Sequence, residues 1–311
     1  MPQLSTIQSV FLVISSTILF IYGLEHFSKE IEAWGAHKLE QILSRWTRYR
    51  LGGFLLGAVA TGLLQSSSAV SSLTVALVDS QIIRFSQSLA VLIGTNVGTV
   101  VTAQLVAFKL TGIGPIFIVL GFVVGLRKSW AISGRSLFYF GFILFALDLI
   151  SSSLAGLGQS FDMREILLLG QGTWSGLFYG ALLTLLVQSS SVTTGLLILL
   201  VQQGLLSFES AAPMILGANI GTTSTGLIAA AKLGTNAKKA AVANLLFNVL
   251  GVVAFLPFLG VVLTKIRAME LSEAHSVAQV HLWFNLSSAI LFLVLLRPFR
   301  ILVERFFRAK G

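Results

Sequence analysis

The sequence predicts an all-α polytopic membrane protein built of two inverted repeats. Each repeat has a re-entrant helical hairpin and a broken transmembrane helix, and one extra span follows at the C-terminus. Three observations predict this fold. The 311 residues are 55% hydrophobic and only 11% charged, with a mean hydropathy of +0.89. A soluble domain carries about twice that share of charge. Slid over itself by 123 residues, the sequence matches itself at polar positions inside apolar surroundings. Finally, the basic residues fall between the apolar runs in a strongly one-sided pattern.

The self-match is specific. Gln65-Ser66-Ser67-Ser68 falls on Gln188-Ser189-Ser190-Ser191, and Gly94, Asn96, Gly98 and Thr99 fall on Gly217, Asn219, Gly221 and Thr222. The two motifs stand 31 residues apart in both copies, which chance does not produce. Fixed-offset similarity of this kind is how many transporter folds are made. It divides the chain into a first repeat, 1–130, a second repeat, 131–265, and a final span with a basic tail, 266–311.

In the first copy, residues 7–27 read as a span. They lack a preceding charged segment and belong to the repeat, so they read as structural rather than as a cleaved signal. Residues 28–50 are charged and amphipathic and are expected at the interface. Residues 51–64 and 69–78 are apolar but too short to cross, and QSSS separates them, which predicts a re-entrant hairpin. Residues 86–108 form a span interrupted at 94–99, and 115–126 a short third one. The second copy repeats the order: a span at 136–157, a hairpin around Gln188, a broken span at 209–231 and a span at 240–263. A last span covers 277–296.

Three crossings per copy invert the second copy relative to the first. With the N-terminus outside, the inner segments are 28–50, 79–87, 127–135, 232–239 and 297–311. They hold seventeen of the 21 Lys and Arg, leaving Lys109, Arg164, Lys265 and Arg267 outside. This bias places the C-terminus in the cytoplasm and the chain in a plasma or inner membrane. Charge so dispersed argues against a nucleic-acid surface despite a net +9. The chain has no cysteine, so disulfides and thiolate metal sites are excluded. No nucleotide loop, metal cluster or nucleophile–base arrangement points to an enzyme.

The polar motifs carry the functional expectation. A half-helix starting near Ser67 offers free N–H groups, and one ending near Gln65 offers free carbonyls. Glycines around Asn96 and Asn219 are expected to let the backbone leave the helix. Four such breaks near the midplane would suit an anion beside a small hard cation. No Arg, Lys or His lies in either tip or either broken span. Packing and interhelical hydrogen bonding is the plain alternative for Ser, Thr, Asn and Gln in membranes. It does not explain why both motifs are duplicated. Glu25 and Asp148 match at span ends, as interfacial charges or as coupling groups. His281 and Asn285 read as helix packing, Asn248 as better placed to line a cavity. The tail from Arg297 through Arg300, Arg305, Arg308 and Lys310 reads as a surface helix touching anionic lipid, or as a topology anchor.

These motifs, together with Gly94-Thr95-Asn96-Val97-Gly98-Thr99, Gly217-Ala218-Asn219-Ile220-Gly221-Thr222-Thr223 and Asn244-Leu245-Leu246-Phe247-Asn248, resemble the type II sodium/phosphate cotransporter family over about residues 10 to 295. The resemblance implies sodium-coupled symport of inorganic phosphate, with no cofactor beyond the coupling ion. It implies phosphate binding by Gln65, Ser66, Ser67, Ser68, Asn96, Gln188, Ser189, Ser190, Ser191 and Asn219. It implies sodium binding by Gln65, Ser68, Thr95, Thr99, Gln188, Ser191, Thr194, Thr222, Thr223 and Asn248. Two departures stand out. Bacterial members often carry a cytoplasmic helical regulatory domain, and none is expected here. The first copy has Gly121 and Gly125 opposite Asn244 and Asn248. Another small anion, such as sulfate, arsenate or a carboxylate, or a sensor that binds phosphate without moving it, remain the alternatives.

Overall fold

The computed structural model describes residues 6–108, 110, 112–157 and 170–308. Expectations that fall on 158–169, Arg164 among them, lie outside the described residues, as does the end of the basic tail.

The first copy opens with α1 (Thr6–Trp46), a helical pair α2 (Arg50–Leu64) and α3 (Ser67–Asp79), a broken pair α4 (Phe85–Gly98) and α5 (Val100–Ala107), and α6 (Gly114–Gly125). The second follows with α7 (Ala131–Leu157), α8 (Thr173–Val187), α9 (Ser190–Gln202), α10 (Phe208–Gly221), α11 (Thr223–Ala230) and α12 (Thr235–Phe255). Then come α13 (Leu259–Arg267), α14 (Glu273–Val294) and α15 (Leu296–Arg308). Four elements of the first copy, α2 to α5, have bounds that shift by 123 residues onto those of α8 to α11.

Among the described residues, five helical segments are long and apolar enough to cross a bilayer: Ile7–Ile31, Phe85–Ala107, Lys128–Ala155, Thr235–Arg267 and Glu273–Val294. The broken segment α10–α11 is not one of them. Its run Thr222-Thr223-Ser224-Thr225 lowers its apolarity below that of α4–α5. Phe11 and Ile18 on α1, Val119 and Phe122 on α6, and Phe178 and Leu186 on α8 are exposed, an apolar belt suited to lipid rather than water.

Two expectations need correction, and the span at 240–263, which falls within the segment Thr235–Arg267, gains a detail. Residues 28–46 are not a separate interfacial helix: they continue α1 without a break. Nothing at 28 stops a helix, since neither Pro nor Gly stands between Leu24 and Trp34. The span expected at 240–263 is interrupted by a 3₁₀ turn, Leu256–Phe258, because Pro257 has no N–H to continue the α ladder. The glycines of the broken spans do not release the backbone. Gly94 and Gly98 stay inside α4, and Thr99 after them remains right-handed helical at φ −62°, ψ −24°.

Those glycines serve packing instead. A Cβ on Gly57 would overlap the Val91 carbonyl, one on Gly94 the Phe54 carbonyl, and one on Gly98 the Ala58 carbonyl. The second copy reproduces all three overlaps, with Gly180 on Met214, Gly217 on Leu177 and Gly221 on Ala181. The helices α2 and α4, like α8 and α10, therefore touch backbone to backbone, the close approach small residues permit in membranes.

The copies also exchange partners. The helix α3 packs on α11, and its counterpart α9 packs on α5, the counterpart of α11. The helix α14, outside the repeat, packs against α4, α5, α9, α10 and α12.

Candidate functional site

Each QSSS motif lies at a helix break of one geometry. The helix α2 ends on Gln65, at φ 54° and ψ 23°, and α8 ends on Gln188, at φ 57° and ψ 23°. Both are left-handed. A non-glycine residue there costs about 1–2 kcal/mol, and glycine is the usual choice at such helix ends. The same residue type thus stands at the same strained position in both copies.

The next residue turns the chain into a new helix. Ser66 is extended, and its Oγ accepts from the Ala69 N–H at 3.2 Å. Ser189 does the same with the Val192 N–H at 3.3 Å. These caps satisfy one N–H of each new helix and leave others of the first turn free. Ser67 and Ser190, the first helical residues, are buried, as is Ser191, while Ser68 is partly exposed.

The two tips meet. The Ser68 hydroxyl donates to the Gln188 carbonyl at 3.3 Å, across 120 residues of sequence. The Gln65 amide is held, donating to the Gly62 carbonyl and accepting from the Thr102 hydroxyl at 2.7 Å. Gln188 is exposed, and its side-chain amide has no hydrogen-bond partner among the described residues.

The second wall is more self-contained. Asn96 donates to the Leu92 carbonyl and Asn219 to the equivalent Ile215 carbonyl, each at 2.9 Å. Thr99 and Thr222 bond the carbonyls four residues back, of Thr95 and Ala218, at 2.9 and 3.0 Å. Such back-bonding bends a helix without opening it. Thr95 and Thr223 likewise bond the carbonyls of Leu92 and Ile220. So the QSSS tips are full breaks, whereas the segments at Asn96 and Asn219 are bends. All six of these side chains are buried, and their oxygens keep acceptor capacity.

Further buried oxygens lack partners: Thr194 Oγ1, Asn248 Oδ1 and Asn285 Oδ1. Asn248 and Asn285 each spend their N–H on a carbonyl four residues back, that of Asn244 and of His281. His281 is fully buried, and neither ring nitrogen has a hydrogen bond. Sequence reasoning gave His281 and Asn285 to helix packing. The available signal was the echo of Asn244-Leu245-Leu246-Phe247-Asn248 in His281-Leu282-Trp283-Phe284-Asn285.

The acids at span ends do not act as a pair. Glu25 sits on the surface and pairs with Lys29 at 2.6 Å. Asp148 accepts from the Gly112 N–H at 2.9 Å and so fixes the turn before α6. No cluster of three His, Asp or Glu able to hold a metal occurs among the described residues.

Comparison with known proteins places the chain in a family. The Na+/Pi-cotransporter family matches residues 19–152 and again 158–293, one stretch around each QSSS motif. The uncharacterized protein YqeW of Bacillus subtilis is 31% identical over 296 residues, covering 94% of this chain and 96% of its own. YjbB of Escherichia coli, whose name assigns it to inorganic phosphate export, is 26% identical over 92% of this chain, which spans 53% of YjbB. The human sodium-dependent phosphate transport protein 2B is 40% identical over 105 residues, 31% of this chain and 15% of that protein. No solved structure matches. Two helix breaks of one geometry, one in each half of a multi-pass helical chain, and a family match that repeats with them make this protein a member of the Na+/Pi-cotransporter family, a family of transporters and not of enzymes.

Proposed function

We propose that the chain is a secondary active transporter that moves inorganic phosphate in symport with sodium by alternating access. The observation that carries this reading is the contact of the two tips, Ser68 with Gln188, at two equivalent helix breaks. Free N–H groups of α3 and α9 suit the anion, while hydroxyls, amide oxygens and the carbonyls ending α2 and α8 suit sodium. The phosphate ligands are drawn from Gln65 to Ser68, Gln188 to Ser191, Asn96 and Asn219. The sodium ligands are drawn from Gln65, Ser68, Thr95, Thr99, Gln188, Ser191, Thr194, Thr222, Thr223 and Asn248. The buried oxygens of Thr194 and Asn248 that lack partners support their place in that set.

With the N-terminus outside and the C-terminus in the cytoplasm, the α2–α3 hairpin enters from the cytoplasm and α8–α9 from outside. Residues 1–130 and 131–265 then act as two inverted halves around one site. Net charge moved draws on the membrane potential, roughly 2.3 kcal/mol per charge per 100 mV. The direction follows the summed gradients, so one carrier serves import or export.

Phosphate uptake into proteoliposomes tests this. Labelled phosphate is expected to accumulate only with an inward sodium gradient. Uptake that persists when choline replaces sodium rejects the coupling, and stronger competition by sulfate than by phosphate rejects the cargo. Gln65→Ala and Gln188→Ala are each expected to abolish uptake in protein that still elutes as a folded species.

A further inference from the structure

A cavity rich in arginine lies away from the tips. It has a volume of about 460 Å³ and opens where α1 turns into α2, α4 begins, and α14 turns into α15. Its lining includes Arg48, Arg50, Arg297 and Arg300, with Ser86 and Gln87 from the first turn of α4 and, among the described residues, no acidic one. Among the described residues Arg48, Arg50 and Arg297 have no ion-pair partner. Arg300 reaches only Glu304, one turn along its own helix, at 3.7 Å. Its Nε is shielded from solvent and donates no hydrogen bond.

Three helices start at this cavity, α2 at Arg50, α4 at Phe85 and α15 at Leu296, and none has an acid in its first turn. Helix starts carry partial positive charge, so Arg50 and Arg297 stand where a cation is disfavoured. Guanidiniums gathered in this way repel one another until an anion joins them, and they bind phosphoryl oxygens in bidentate fashion.

We propose that this cavity holds the phosphate group of an anionic phospholipid. The shared chemistry is a phosphoryl anion, and two observations favour lipid over the free ion. The cavity is far larger than one phosphate. The lining residues Thr47, Arg48 and Arg50 alternate in the chain with the exposed Trp46, Tyr49 and Leu51, aromatic and apolar groups of the kind that sit at headgroup level in bilayers.

Native mass spectrometry of the detergent-purified protein, with phosphatidylglycerol or phosphatidylcholine added, tests the proposal. The wild-type protein is expected to retain phosphatidylglycerol in preference. The Arg48→Gln/Arg297→Gln variant is expected to bind it roughly 25-fold more weakly, about fivefold per arginine removed. Arg297→Lys, which keeps the charge, is expected to fall in between. If the double variant does not fold, the wild-type melting temperature serves, and it is expected to rise with phosphatidylglycerol and not with phosphatidylcholine. Equal retention of both lipids overturns the proposal. So does displacement of the lipid by inorganic phosphate in sodium-free buffer, which assigns the cavity to the free ion. Retention by the Gln65→Ala protein is expected to be unchanged, which separates this site from the transport reading.

Discussion

The two copies share a backbone frame but not the hydrogen bonds within it. In the second copy Thr184 donates to Thr193 at 2.9 Å, tying α8 to α9. In the first, Thr61 stands at the position of Thr184, but Val70 stands at that of Thr193, and Thr61 Oγ1 is buried without a partner. The reverse holds at the next residue of α3 and α9. Ser71 and Thr95 lie 3.4 Å apart across α3 and α4, while their counterparts are Thr194 and Ala218, and Thr194 Oγ1 is left alone. Each copy thus keeps one hydroxyl pair and one orphan, in opposite places. The flanks differ further. Gly121 in α6 presses against the Phe138 backbone of α7, whereas its counterpart Asn244 sits in α12 among core helices. The lesson is that duplication preserves the frame strictly, and the polar atoms are where the copies specialise.

The frame itself gives the largest expected effect. Gly94→Ala and Gly217→Ala should be equally harmful, each by about 2–3 kcal/mol or more, because each Cβ meets a carbonyl that cannot move away. Thermal unfolding in detergent measures this, and tolerance at one glycine alone would break the equivalence of the frames. Next come Gln65→Gly and Gln188→Gly. Relief of the left-handed strain should raise stability by up to about 1 kcal/mol while uptake is lost. Loss of both stability and uptake would mean that the glutamines serve only to build the turn. Repairing the orphans changes stability by a similar amount and is expected to leave uptake in place. Val70→Thr and Ala218→Thr should each add roughly 0.5–1.5 kcal/mol by supplying the partner that the other copy already has. If Ala218→Thr instead weakens the sodium dependence of uptake, then the Thr194 oxygen belongs to an ion rather than to a missing hydrogen bond.

Much of this was legible in the sequence because repeats and breaks are local signals. A fixed offset locates α2 to α5 on α8 to α11, and QSSS between short apolar runs marks both true breaks. Other features were hidden because they depend on what packs where. The glycines around Asn96 look like hinges in sequence, yet the backbone of α2 fills the space that their missing side chains leave. The charges of 28–46 suggest a surface helix, yet nothing in that stretch ends a helix already begun. The arginine cavity draws on residues near 48, 87 and 300, and only the fold brings them together. The difference between a held Gln65 and a free Gln188 turns on Thr102, whose counterpart Thr225 bonds its own helix instead.

The crossed packing of α3 on α11 and of α9 on α5 binds the two copies into one unit. Each of these two short helices packs on a neighbour in its own copy, α4 or α10, and also on a helix of the other copy. A cut in the chain between α6 and α7 leaves those crossed contacts in place. The two pieces should therefore stay together when they share a bilayer.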